Sequence, residues 1–221
     1  MNDAAKPDHP GDRETGRVEA FSDGVFAIAV TLLVLDLKVP KPGDLGGASL
    51  LSALSRQWPA FLAYLTSFAT ILVMWVNHHK LFNHIRRTND TFLFLNGLLL
   101  LFVTFVPFPT ALVSAYLRHP EARTAAAVYA GTYEAIAIAF NLLWKYASAG
   151  RRLLGPRASL VEVDAITRQY RVGPISYLVA FVLAFVSVPA SLGICMLLAV
   201  FFAFTVTLGR QPGSGRAESS T

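Results

Sequence analysis

Polar side chains that could do chemistry are few in this sequence and fall in three places. Ser22 and Asp23 stand behind Arg17 and Glu19 in the stretch RVEAFSDGVFAIAVTLLVLDLKVP, residues 17–40, just ahead of an apolar run from Gly24 to Leu35. Asn77, His78 and His79 close a second apolar run that ends MWVNHHK. Glu134 is the deepest acid, mid-way along a later run, with Asn141 two turns on. Inside a membrane span such groups are costly unless paired or wet, so each is a functional candidate by default. Ser22, Asp23, His78 and His79 share one depth, which predicts a hydrogen-bonded cluster with Arg17 that braces the first span against the second; a direct role in permeation or pH sensing is the alternative. Arg17 and Asp23 are six residues apart, not a helix-neighbour spacing, so their partners come from another helix or another subunit. For Glu134 two readings stay open: a cation or proton site, or a bond to a polar neighbour such as Asn96 or Thr104. Asp36 closes the first run and either draws cations to a mouth or is a plain interfacial residue.

Other chemistries are argued against. Adjacent residues point about 100° apart on a helix, so His78 and His79 do not close a metal site unaided, and no Cys, Asp or Glu stands beside them at ligand spacing. No nucleophile–base pair or phosphate-binding loop is present, and an enzyme needs convergent polar groups. Neither catalysis, nor a metal, nor a cofactor is expected.

The elements that must position these residues follow from composition. The chain of 221 residues is 54% hydrophobic and 15% charged, against about 25% charged in soluble domains. That is a membrane protein, with the lipid bilayer as its partner. The net charge of +5 does not argue for nucleic acid, because the basic residues lie between apolar runs. The single cysteine, Cys195, excludes an intrachain disulfide. Residues 1–16 and 209–221 read as disordered tails, and no secretory signal pattern is seen at the start. Between the tails, an all-α domain over 17–208 holds six spans of roughly the length that crosses a bilayer, at about 17–37, 57–80, 91–117, 124–146, 172–188 and 190–208. Pro107 and Pro109 should kink the third. Residues 38–56 read as a loop with a short interfacial helix, 147–171 as a basic loop, and the last two spans as a tight hairpin near Pro189. With the amino terminus on side one, fourteen Lys and Arg fall on that side and five on the other. The positive-inside rule then places both termini in the cytoplasm of a multi-pass cell-membrane protein.

On the first span, Val25, Ile28, Leu32 and Leu35 share one stripe at helical spacing, and Ala20, Gly24, Ala27 and Thr31 share a second beside it. The small-residue stripe suits close packing on one flank. The bulky stripe could face lipid, a protein core or a pore axis, and periodicity does not choose.

The motif Arg17-x-x-x-Phe21-Ser22-Asp23, continued by GVFAIAVTLLVLD, together with Trp75-x-x-His78-His79-x-x-Phe82, resembles the signature of the bacterial and archaeal branch of the transmembrane protein 175 potassium channels. The resemblance implies a homotetramer whose first helices line a central pore, with potassium as the permeant ion and weak preference over sodium. It implies that Ile28, Leu32 and Leu35, the fifth, ninth and twelfth residues after the motif Asp, form the constriction, and that Thr31 contributes to selectivity. Arg17, Phe21, Ser22, Asp23, Trp75, His78 and His79 become a structural polar network. A ring of aliphatic side chains would act as gate by dewetting. The competing reading is a proton- or cation-coupled transporter that uses Glu134 and the histidines of the second span.

Overall fold

The computed structural model describes residues 10–155 and 159–208. Among them every regular element is helical: α1 (Pro10–Leu32), α2 (Leu50–Arg56), α3 (Trp58–His84), α4 (Asp90–Phe105), α5 (Pro107–Tyr116), α6 (Ala122–Ser148), α7 (Leu160–Ala184) and α8 (Val188–Leu208), with short 3₁₀ turns at Leu33–Asp36, Pro42–Leu45 and Ala149–Arg151. Among the described residues four stretches are long and apolar enough to cross a membrane, Glu14–Asp36, Trp58–His84, Asp90–Tyr116 and Ala122–Arg151; the expected spans at 172–188 and 190–208 are helical, within α7 and α8, but are not among the four. This is a multi-pass membrane protein. α6 packs on α7 most extensively and also touches α4, α5 and α8, while α1 leans on α3 and α4.

The boundaries differ most from the sequence expectation at two helix starts, while the other ends shift by up to five residues. α1 begins at Pro10, so residues 10–16 are helix where a tail was expected; the rest of that tail, and residues 209–221, lie outside the described residues. Proline suits the first helical position because its missing N–H would be unpaired there anyway. α7 begins at Leu160, twelve residues ahead of the expected span and inside the expected basic loop. Its start is capped by Ser159, whose hydroxyl accepts the Val161 amide at 3.2 Å. Hydropathy marks where a helix meets lipid, but helical hydrogen bonds need no apolar surroundings and continue past that point.

The third span is bent where expected. The break lies at Val106, between α4 and α5, and Val106 itself keeps helical torsions (φ −53°, ψ −39°). The chain therefore bends without unwinding. Two connections tie the ends of the bundle. At one end the chain after α3 pairs with the chain after α6, Arg86 N donating to Leu153 O at 2.9 Å and Gly155 N to His84 O at 3.0 Å. At the other, an Arg118 guanidinium N–H donates to Arg56 O at 2.7 Å.

Pro174 stands inside α7. It has no N–H to offer the carbonyl four residues earlier, that of Tyr170. Asn141 of α6 supplies the missing donor: its side-chain amide bonds to Tyr170 O and to Ala137 O. This is a repair across a helix interface of the kind that lets proline persist in membrane helices. A double-mutant cycle checks it. Asn141→Leu should lower the thermal midpoint of the purified protein by an amount equivalent to about 1 kcal/mol. In a Pro174→Ala background the same change should cost markedly less, because the helix then satisfies Tyr170 O itself.

Candidate functional site

α1 has a core side and an open side, and the two have different chemistry. Ser22, Phe26, Ala29 and Leu33, spaced four, three and four, are fully buried against the bundle. The other face is bare. Only 22% of the apolar window of α1 is buried within the chain, against 61% for α6.

On the core side a polar cluster links Ser22, Asn96 and His78, and its hydrogen atoms can be assigned from the bonds alone. The Ser22 hydroxyl donates to Val18 O at 2.8 Å. It therefore accepts from the Asn96 amide at 3.0 Å, which leaves Asn96 Oδ1 as the acceptor for His78 Nε2, also at 3.0 Å. His78 thus carries its proton on Nε2, and the chain runs one way from α3 through α4 to the backbone of α1. The His78 ring is wedged between Phe82 (centroids 4.5 Å apart) and Phe26 (5.3 Å). A second, more exposed tier lies beside it. The Trp75 indole N–H donates to Asp23 Oδ1 at 2.9 Å, and His79 Nδ1 meets Glu19 Oε1 at 2.7 Å. α1 is thereby pinned to α3 and α4 over little more than one turn, from Glu19 to Asp23.

Asn96 and Glu19 belong to this site and were not assigned to it from sequence. Asn96 had been considered as a partner for Glu134, and the structure gives it to Ser22 and His78 instead. Thr104, the other candidate, donates to its own backbone at Leu101 O. Glu134 is half-buried on α6, and its Oε2 is enclosed without a hydrogen-bond partner. The polar chain of His78 leads to α4 and α1 rather than to Glu134. Arg17 and Phe21 do not join the cluster; both are exposed on α1, beside a groove floored by Asn96 and Gly97.

The open side of α1 carries the stripes seen in the sequence except for Val25, which is half-buried against the core. Ile28 (58% exposed), Leu32 (41%) and Leu35 (66%) form the bulky one. Ala20, Gly24, Ala27 and Thr31 form the small one and are also exposed, so among the described residues no helix covers the small stripe. α1 tightens to a 3₁₀ turn at Leu33–Asp36. In that geometry side chains three apart eclipse, so Leu35 stands directly over Leu32 and extends one aliphatic column. Thr31 sits on the edge of that column, its hydroxyl donating to Ile28 O at 2.9 Å, which leaves the oxygen lone pairs directed outward. Asp36 is half-buried in a cleft it shares with Lys38, Arg56 and Arg118.

With this geometry in hand, the chain can be set beside known proteins. The family model for the endosomal/lysosomal potassium channel TMEM175 matches residues 17–107, which hold the brace and the column. A potassium channel of Chamaesiphon minutus is 60% identical over 194 residues, 88% of this chain and 96% of that one. A potassium channel of Streptomyces collinus is 46% identical over 192 residues, 86% of this chain and 92% of that one. The crystal structure of a lysosomal potassium-selective channel TMEM175 homolog from Chamaesiphon minutus superposes with a TM-score of 0.81 at 58% identity, over 88% of this chain and 98% of that chain. Relatedness of this extent, across the brace, the column and the bundle behind them, makes this chain a member of the TMEM175 family.

Proposed function

We propose that this chain is the subunit of a potassium-permeable cation channel, weakly selective for potassium over sodium, in which the α1 column of Ile28, Leu32 and Leu35 is both gate and filter. The observation that carries the reading is the bare aliphatic face of a helix whose opposite face is locked by hydrogen bonds to α3 and α4. A helix held this firmly presents a fixed surface. In a homotetramer with α1 nearest the axis, four such surfaces make rings of Ile28, Leu32 and Leu35, and the small stripe gives room for neighbouring helices to approach. The relatives named above as potassium channels support the same assignment.

Narrow aliphatic rings exclude water and close the pore by dewetting. An ion passing them must shed part of its water, and potassium holds its water less tightly than sodium. Thr31 oxygens repay part of that loss. Selectivity built this way is weak, because no carbonyl cage replaces the whole shell. Six spans, with both termini in the cytoplasm and the protein in the cell membrane, complete the proposal. The transporter reading is not favoured: the polar groups do not converge on Glu134, and the bend at Val106 exposes no unwound backbone of the kind transporter sites use.

The test is a reversal potential from purified protein in a planar bilayer, with equimolar potassium and sodium chloride on opposite sides. The expected value has the potassium sign but falls well short of exclusive potassium permeation. No current at all, or a reversal at zero, would sink the reading.

A further inference from the structure

At the end of the bundle remote from the brace, a cavity of about 270 Å³ opens between α3, α5, α6 and α8. Its wall on α3 is the stripe Trp58, Leu62, Thr66, one helical face that descends about 12 Å from the end of the span. Leu192 and Met196 of α8 stand opposite, with Tyr129 at its floor. Trp58, Leu62 and Met196 are partly exposed, so the cavity opens sideways, at the depth of one leaflet. Water has little to bond to there, since the Tyr129 hydroxyl is already engaged by Ser67 at 3.0 Å.

The rim has the opposite character. Arg118 lies over the Trp58 ring, 5.4 Å from its centroid, and is fixed by its bond to Arg56 O at 2.7 Å. It is exposed and, among the described residues, forms no ion pair, so its remaining N–H groups are free to point outward. Arg56 and Lys38 border the cleft next to it, together with Asp36. The first turn of α3 has no side-chain cap and adds partial positive charge at the same level. Asp36 opposes this charge but is outnumbered by the three cations. An apolar cavity beside a fixed guanidinium is complementary to one kind of molecule.

We infer that this cavity holds an acyl chain of an anionic glycerophospholipid, whose phosphate is bound by Arg118 at the rim. The guanidinium offers the paired donors that a phosphate accepts, and Trp58 provides the amphipathic wall between headgroup and tail. The occupant is a lipid and not free phosphate, because the larger part of the site is apolar. The inference does not depend on whether the chain conducts.

Gly193 makes the site testable without touching α1. A Cβ built there meets nothing within 4 Å, so Gly193→Leu fills the cavity instead of straining it. Native mass spectrometry of the full-length protein in detergent, with added palmitoyl-oleoyl phosphatidylglycerol or the phosphatidylcholine of the same chains, reads the outcome. The wild type should retain phosphatidylglycerol in preference, and excess inorganic phosphate should not displace it. Gly193→Leu should reduce bound phosphatidylglycerol about tenfold with an unchanged or raised thermal midpoint. Arg118→Gln removes the guanidinium together with its bond to Arg56 O, so its thermal midpoint is measured alongside; the folded variant should lose the preference between the two lipids. Equal retention of both lipids by the wild type, wild-type retention by either variant, or displacement by inorganic phosphate would overturn the assignment.

Discussion

Ile28→Asn should raise passive potassium flux through reconstituted protein by about tenfold or more, the change expected when a barrier falls by about 1.4 kcal/mol. The argument rests on what the column lacks. Ile28, Leu32 and Leu35 offer no hydrogen bond to water, so water is stable within the three proposed rings only when they are wide. Asparagine has nearly the size of the side chain it replaces and projects from the same exposed position, 58% accessible in the chain, so neither the brace nor the bundle is disturbed. It adds amides that hold water at the level of the proposed constriction. Flux of potassium from loaded liposomes measures it, and Ile175→Asn is the control. Ile175 is 67% exposed, but on α7, where the same chemistry meets no proposed pore. If both variants leak equally, the effect is general destabilisation and the column is not the gate. If neither leaks, the constriction lies elsewhere.

The second large effect concerns the brace. Asn96→Leu should lower the thermal midpoint by several degrees, the equivalent of about 1–3 kcal/mol. Leucine fills much of the same volume but strands the His78 Nε2–H, which is fully buried and has Asn96 as its partner. Ser22 loses a donor yet keeps its own bond to Val18 O, so most of the cost falls on the histidine. The measurement that isolates this is a cycle with His78→Phe, whose ring preserves the stack on Phe82. In that background no buried N–H is left behind, and Asn96→Leu should cost distinctly less. Equal costs in both backgrounds would mean that Asn96 acts by packing alone.

Much of this was legible from residue order. Long apolar runs specified membrane-crossing helices, because a backbone in lipid must satisfy its own hydrogen bonds. Pro107 and Pro109 located the bend of the third span, since proline removes donors wherever it stands. The shared depth of Ser22, Asp23, His78 and His79 anticipated the brace, because depth along a helix is a matter of counting. Spacing also found the aliphatic column. Less legible were the starts of α1 and α7, where helix continues outside the apolar run and hydropathy has nothing to say.

What a linear count does not carry is rotation, meaning which face of each helix meets which neighbour. Asn96 and Thr104 looked equivalent as partners for Glu134, and only packing turned Asn96 toward α1 and α3. Arg17 and Phe21 share a motif with Ser22 and Asp23, yet helical rotation places them on the outer side. Asn141 meets Tyr170 because Pro174 freed a carbonyl on the helix that happens to lie opposite. The sequence alone determined the first four apolar runs, the depth of each polar group along its helix and the periodicity of the α1 stripes, all properties of a single helix. The tertiary structure alone decided that the buried face of α1 is Ser22, Phe26, Ala29 and Leu33, which leaves the small stripe and Ile28, Leu32 and Leu35 of the bulky one bare. Burial depends on the relative rotation of helices distant in sequence, and that is fixed by the fit of all their side chains at once.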